Sequence, residues 1–171
     1  MSRRTAGAIL ASLIVLLMSA LPASAQSTTA PIRDAFWVGV GLGAGSEDFA
    51  GSLNGSYQFG GNLLSVRASA TAGIFDDGFG DYALLYGRAT SPTAKRYHAS
   101  AALGLGIVHG CRGGGLGGCR DVSNAVGVPI ELQLSWRPGS LIGLGLYGFA
   151  NFNDEQSFGG VTLGLQLGRL R

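Results

Sequence analysis

The chain has 171 residues, with 12 basic and 10 acidic side chains, a formal charge of +2, 30 glycines and two cysteines. That balance offers no basic footprint for nucleic acid, and recurrent Trp, Tyr and Phe argue against the disorder that so much glycine otherwise signals. The length suits one domain.

At the N-terminus, Arg3 and Arg4 precede an apolar run from Ala6 to Met18, and Ala23-Ser24-Ala25 forms an A-x-A cleavage site before Gln26. The run is shorter than the about 20 residues of a membrane-spanning helix, so residues 1–25 read as a cleaved secretory signal. No cysteine lies near the cleavage site, which argues against a lipoprotein anchor. Removing 25 of 171 residues leaves 146, and losing Arg3 and Arg4 leaves ten basic against ten acidic side chains. Residues 26–34 then form a short N-terminal segment and 35–171 the folded domain.

From Ala35 onward apolar residues alternate with small or polar ones. Phe36, Val38, Val40 and Leu42 interleave with Trp37, Gly39, Gly41 and Gly43. Leu64, Val66, Ala68 and Ala70 interleave with Ser65, Arg67, Ser69 and Thr71, and Val161-Leu163-Leu165-Leu167 with Thr162-Gly164-Gln166-Gly168. A period of two means strands. Turn chemistry divides the chain into eight, over roughly 35–45, 49–59, 62–73, 81–90, 96–108, 126–137, 141–151 and 157–168. The expected fold is all-β: an eight-stranded antiparallel up-and-down transmembrane β-barrel following a cleaved signal peptide.

Connections alternate in character. Phe59–Asn62, Thr90–Ala94 and Arg137–Ser140 are short; Ile74–Gly80, His109–Ala125 and Asn151–Gln156 are mostly longer and more charged, with the short turn near Gly45–Asp48 an exception. Barrels of this kind put short turns in the periplasm and longer loops outside, so both termini are expected to be periplasmic.

Facing lipid we place Phe36, Val38, Val40, Leu42, Leu64, Val66, Ala68, Tyr97, Leu103, Leu105 and Ile107. The sixth strand adds Val126, Val128, Ile130, Leu132, Leu134 and Trp136, with Gly127, Pro129, Glu131, Gln133 and Ser135 opposite. Pro129 removes a ladder donor and suggests a bulge or weakened pairing. The fourth strand is ambiguous, because Tyr82-Leu84-Tyr86-Arg88 and Ala83-Leu85-Gly87 fit either face. Inside, an interior polar network is expected from Arg67, Arg88, His98, Glu131, Gln133 and Gln166, with Gln58 and Ser100. A barrel of eight strands is filled by its own side chains, which disfavours a pore.

The whole mature chain resembles the small eight-stranded outer-membrane proteins of the OmpA/OmpX type. From Val126 to Arg171, the runs Ile130-Glu131-Leu132-Gln133, Gly148-Phe149-Ala150-Asn151-Phe152-Asn153 and Leu165-Gln166-Leu167-Gly168 are similar to bacterial proteins described only as outer-membrane β-barrels. The resemblance implies fold and location and carries no catalytic residue. The Gly168-Arg169-Leu170-Arg171 ending departs from the aromatic last residue of many such barrels.

Cys111 and Cys119 flank a Gly-rich stretch in the longest loop, and an exported pair this close most simply forms a disulfide. No cofactor or metal set has recognisable spacing. His98 and Ser100 share a face, and Glu131 completes a triad-like set of the kind lipid A deacylases use; alternation aims it inward, where packing is the better account. Eight acids, Glu47, Asp48, Asp76, Asp77, Asp81, Asp121, Asp154 and Glu155, lie in or beside the outer loops. They read as a solvated rim, or as carboxylates sharing divalent cations with lipopolysaccharide at Glu47, Asp48, Asp76, Asp77, Asp154 and Glu155. The leading expectation is a monomeric structural or surface-interaction barrel without enzymatic activity. Its partners are outer-membrane lipid and lipopolysaccharide, with a surface protein meeting the 109–125 loop and no nucleic acid. Alternatives are a lipid-modifying enzyme and a soluble lipocalin-like carrier, in which the two faces are inverted.

Overall fold

A computed structural model describes residues 34–73, 78–90, 96–112 and 120–170. The proposed signal and most of the N-terminal segment lie outside these residues. Eight strands follow one another: β1 Ala35–Gly45, β2 Asp48–Phe59, β3 Asn62–Ala72, β4 Gly78–Ala89, β5 Tyr97–Arg112, β6 Arg120–Trp136, β7 Ile142–Phe152 and β8 Phe158–Arg169. Each pairs antiparallel with its chain neighbours, and β1 pairs with β8 to close the barrel. Closure leaves no open edge around the wall, which is how strands alone satisfy their backbone groups without water.

The register measures the stagger. Following partners from Phe36 leads through Tyr57, Leu64, Tyr86, Leu103, Ile130 and Ala150 to Gly159. The Gly159 carbonyl accepts from the Ser46 N–H, so the circuit returns to β1 ten residues beyond Phe36. Such a shear tilts the strands by about 40° to the barrel axis. We call the end where β1 begins and β8 finishes the near rim, and the opposite end the far rim.

Alternation decides the faces as expected in β1, β3, β5 and β6. It also resolves β4: Tyr82, Leu84, Tyr86 and Arg88 face out, while Asp81, Ala83, Leu85 and Gly87 face in. The outer wall is thus built of Val, Leu, Ile and aromatic residues, and the inside holds most of the polar ones. A soluble carrier requires the reverse arrangement, so the lipocalin-like alternative is overturned.

Two expectations about connections change. The anticipated 109–125 loop is largely strand, because β5 and β6 continue to Arg112 and from Arg120. Within that extension the register shifts between Val108 and His109; Val108 pairs with Ala125 and His109 with Ser123, leaving Asn124 as the extra residue at φ 61°. This is a β-bulge, placed five residues from the Pro129 where one was anticipated. Opposite Pro129 the β5–β6 partners jump from Leu103↔Ile130 to Gly106↔Gly127, so the ladder is interrupted where the proline offers no N–H.

Candidate functional site: a sealed interior between two rims

The interior has three layers. Near the far rim Ala50, Phe79, Val108, Val122, Phe149 and Phe158 form an apolar plug, with Phe79 and Phe158 stacked. Towards the near rim Ala35, Trp37, Leu63, Ala83, Leu85, Ala102 and Leu170 form a second. A polar cluster lies between and beside them.

Its centre joins four strands. Arg67 of β3 donates from Nη2 to Asp81 Oδ2 of β4 at 2.7 Å, and from Nη1 to the Ile130 carbonyl at 3.0 Å. Glu131 Oε2 of β6 stands 3.9 Å from the same guanidinium. Asp81 also accepts from Ser69 Oγ at 2.5 Å and from Asn151 Nδ2 at 2.7 Å, so the carboxylate is bonded from β3 and β7. A second chain of bonds runs towards the near rim. Gln133 donates to Glu131 at 2.5 Å, Gln166 to Gln133 at 3.4 Å, and Arg137 Nε to Gln166 at 3.2 Å. Arg137 lies over the Trp37 ring at 4.5 Å, Trp37 meets His98 edge-on at 5.3 Å, and His98 Nε2 lies 3.0 Å from Gln58 Oε1. Arg67, Arg137, Asp81 and Glu131 are all buried, two cations balancing two carboxylates. Charges taken out of water require such pairing, although the pairs add little net stability over an apolar filling.

Glycine makes the space. A Cβ on Gly127 would stand 2.0 Å from Asn151 Oδ1, and one on Gly39 would stand 2.2 Å from Asn54 Oδ1. The near-rim turn needs glycine for another reason, since Gly60 adopts φ 63°.

Several sequence expectations are corrected here. Arg88 is exposed on the outer face, where it donates to Asn62 Oδ1 at 3.0 Å, and it takes no part in the interior cluster. Asp81, grouped above with the outer-loop acids, is fully buried at the cluster's centre. Arg137, placed above in a short turn, turns into the barrel and donates to the Leu170 carbonyl at 3.2 Å. The signal for Asp81 was parity, because Tyr82, Leu84 and Tyr86 pointing out send Asp81 in.

The His98, Ser100 and Glu131 side chains do not converge. His98 is opposite Ser135 and Glu131 opposite Ala102, four residues or about 13 Å further along β6. His98 bonds Gln58, and Glu131 bonds Gln133. These three side chains form no acid–His–Ser relay.

Of the outer-loop carboxylates, Asp48, Asp121, Asp154 and Glu155 are exposed and Glu47 half-buried at the far rim; Asp76 and Asp77 lie outside the described residues. Asn153 Oδ1 accepts from the N–H groups of Glu155 and Gln156 and so shapes the β7–β8 turn. Among the described residues no three His, Cys, Asp or Glu side chains are grouped to hold a metal. Cys111 lies near the end of β5 opposite Asp121 and is not a free thiol; Cys119 lies outside the described residues.

Aromatic residues mark both rims of the outer face. Phe36, Tyr57, Phe59, Tyr97 and Trp136 ring the near rim, and Phe49 and Phe152 stand at the far one. Phe49 and Phe59 are ten residues apart on β2, which at about 3.3 Å per residue and a tilt of about 40° spans roughly 25 Å of barrel height.

No protein-family model matches the chain, and no curated protein matches it in sequence. Solved structures do match in fold. The N-terminal β-barrel domain of Pseudomonas aeruginosa OprF superposes with a TM-score of 0.61 at 8% identity, covering 78% of this chain and 96% of that one. Neisserial surface protein A gives 0.56 at 10% identity, covering 78% and 94%. Ail, the attachment invasion locus protein of Yersinia pestis, gives 0.54 at 14% identity, covering 78% and 96%; it has also been solved with the heparin analogue sucrose octasulfate. The fold is that of the small eight-stranded outer-membrane β-barrels.

Proposed function

We propose that the protein is a small outer-membrane barrel with a structural or surface-interaction role, non-enzymatic and without a pore. One observation carries the reading: a predominantly apolar outer wall, bounded by aromatic rims roughly 25 Å apart, encloses an interior plugged at both ends. Such a wall matches a hydrocarbon layer, and such an interior leaves no continuous water path. The near rim, with both ends of the folded chain and the short turns, faces the periplasm. The far rim, with the long β5–β6 hairpin, faces outward. Cys111 pairs with Cys119 to close the tip of that hairpin, which is the surface offered to a protein partner. Lipopolysaccharide is the lipid partner on that side, and the solvated carboxylates there lie where divalent cations bridge to its phosphates.

Fractionation tests the location. Recovery with outer membranes, extractable only by detergent, is the expected result; recovery in the periplasmic supernatant overturns it. On intact cells, protease should cut at the Cys111–Cys119 tip and spare Thr90–Lys95, and the opposite pattern reverses the orientation.

A further inference from the structure

Arg88 is the residue whose position the interior does not explain. It ends the outward row Tyr82, Leu84, Tyr86 on β4, on a wall made chiefly of apolar side chains. Asn62, its cross-strand partner on β3, accepts at Oδ1 from both Arg88 Nη1 and Tyr86 Oη, each at 3.0 Å. That shared acceptor holds guanidinium and phenol together at the wall. A guanidinium has five donors, and Asn62 satisfies one. Among the described residues no carboxylate pairs with Arg88; the ion pairs there belong to Arg67. Gly61 beside it carries no side chain, and even a Cβ there would stand 4.0 Å from Nη2, so the turn leaves the guanidinium open.

Arg96, just before the neighbouring strand β5, is also exposed at this rim, and among the described residues the exposed carboxylate at Asp34 is engaged by the Tyr57 hydroxyl at 2.6 Å. An arginine near the edge of a lipid-facing wall carries a small cost. An anionic group placed among its open donors offsets that cost and forms charge-assisted, bidentate bonds.

We propose that Arg88, held by Asn62 and flanked by Tyr86, binds the phosphate of an anionic phospholipid headgroup in the leaflet at the near rim. This rests on the membrane reading above. In that orientation lipopolysaccharide phosphates lie at the other rim, so the occupant is a phospholipid such as phosphatidylglycerol.

The test uses the full mature chain in nanodiscs of phosphatidylcholine containing phosphatidylglycerol, with retained lipid counted by native mass spectrometry after mild detergent release. The wild type should retain phosphatidylglycerol in preference to phosphatidylcholine. R88Q should lower that retention about fivefold, the equivalent of about 1 kcal/mol for one basic side chain at an anionic surface. R88K, which keeps the charge and loses the fork, should fall between them, and Asn62→Ala should also reduce retention. Heat-modifiable migration confirms that each variant is folded. Equal retention by wild type and R88Q overturns the proposal, as does equal retention of both lipids by the wild type. Displacement of the lipid by millimolar inorganic phosphate would reassign the site to free anions and overturn the lipid assignment. Failure of the wild type to enter bilayers at all instead defeats the membrane reading; insertion without preference defeats this inference alone.

Discussion

Arg67 and Asp81, on adjacent strands, meet at 2.7 Å inside the barrel with both side chains sealed from solvent. Their pairing decides the register of β4, because Asp81 facing in sends Arg88 out. Removing one partner strands the other charge. Asp81→Ala should therefore lower the urea stability of the reconstituted barrel by about 3–5 kcal/mol, while replacing both residues with apolar ones of similar volume should recover much of the loss. A single-variant loss below about 1 kcal/mol would show that the pair is not buried in this way.

Glycines should divide sharply by location. A Cβ at Gly104 would stand 1.8 Å from the Leu84 carbonyl oxygen, a backbone atom that cannot move without parting β4 from β5. Gly148 faces outward with nothing within 4 Å. Gly104→Ala should cost about 1–3 kcal/mol in denaturant titration, and Gly148→Ala should stay within about 0.5 kcal/mol.

Trp37 is buried under Arg137, whereas Trp136 is on the outer wall. With Trp136→Phe, the remaining Trp37 emission should be blue-shifted and insensitive to brominated acyl chains. With Trp37→Phe, emission from Trp136 should be strongly quenched by them. Equal quenching of the two would put Trp37 on the lipid side.

Conductance reads the plugs directly. In planar bilayers the wild type should produce no single-channel steps. Phe79→Ala with Phe158→Ala removes the stacked pair at the far rim, but the Trp37–Arg137–Leu170 closure remains, so steps should stay absent. Regular steps from the wild type contradict a filled interior.

The cysteines give a topological readout. On intact cells a membrane-impermeant maleimide should label the chain only after reduction, and Cys111→Ser with Cys119→Ser should abolish labelling. The chain-entropy estimate for closing about nine residues is roughly 2–3 kcal/mol, so the reduced barrel should remain folded but unfold at lower denaturant. Labelling before reduction rules out the disulfide.

The strand count and most faces were legible in the sequence because burial on one side imposes a period of two, as in Phe36–Gly43 and Val126–Trp136. What was hidden had physical reasons. Both rows of β4 are apolar enough to face either way, and an aspartate beside a turn looks like loop chemistry, so Asp81 concealed the parity that places Arg88. Arg137 lies next to a Pro-Gly turn, where a charge ordinarily points to water; the Trp37 ring and the Leu170 carbonyl that receive it come from β1 and from just beyond β8. The β5–β6 extension was missed because it rises beyond the apolar belt, where lipid no longer enforces alternation.

The pairing of Phe36 with Arg169 brings the first strand beside the last, and it makes the order of strands cyclic. A cycle has no privileged beginning. A permuted gene that joins these two ends by a short linker and opens at Pro138–Gly139 should encode the same wall, with β7 leading and β6 trailing. Which strand neighbours which around the closed circuit, rather than the order in which the strands are joined, then defines this wall.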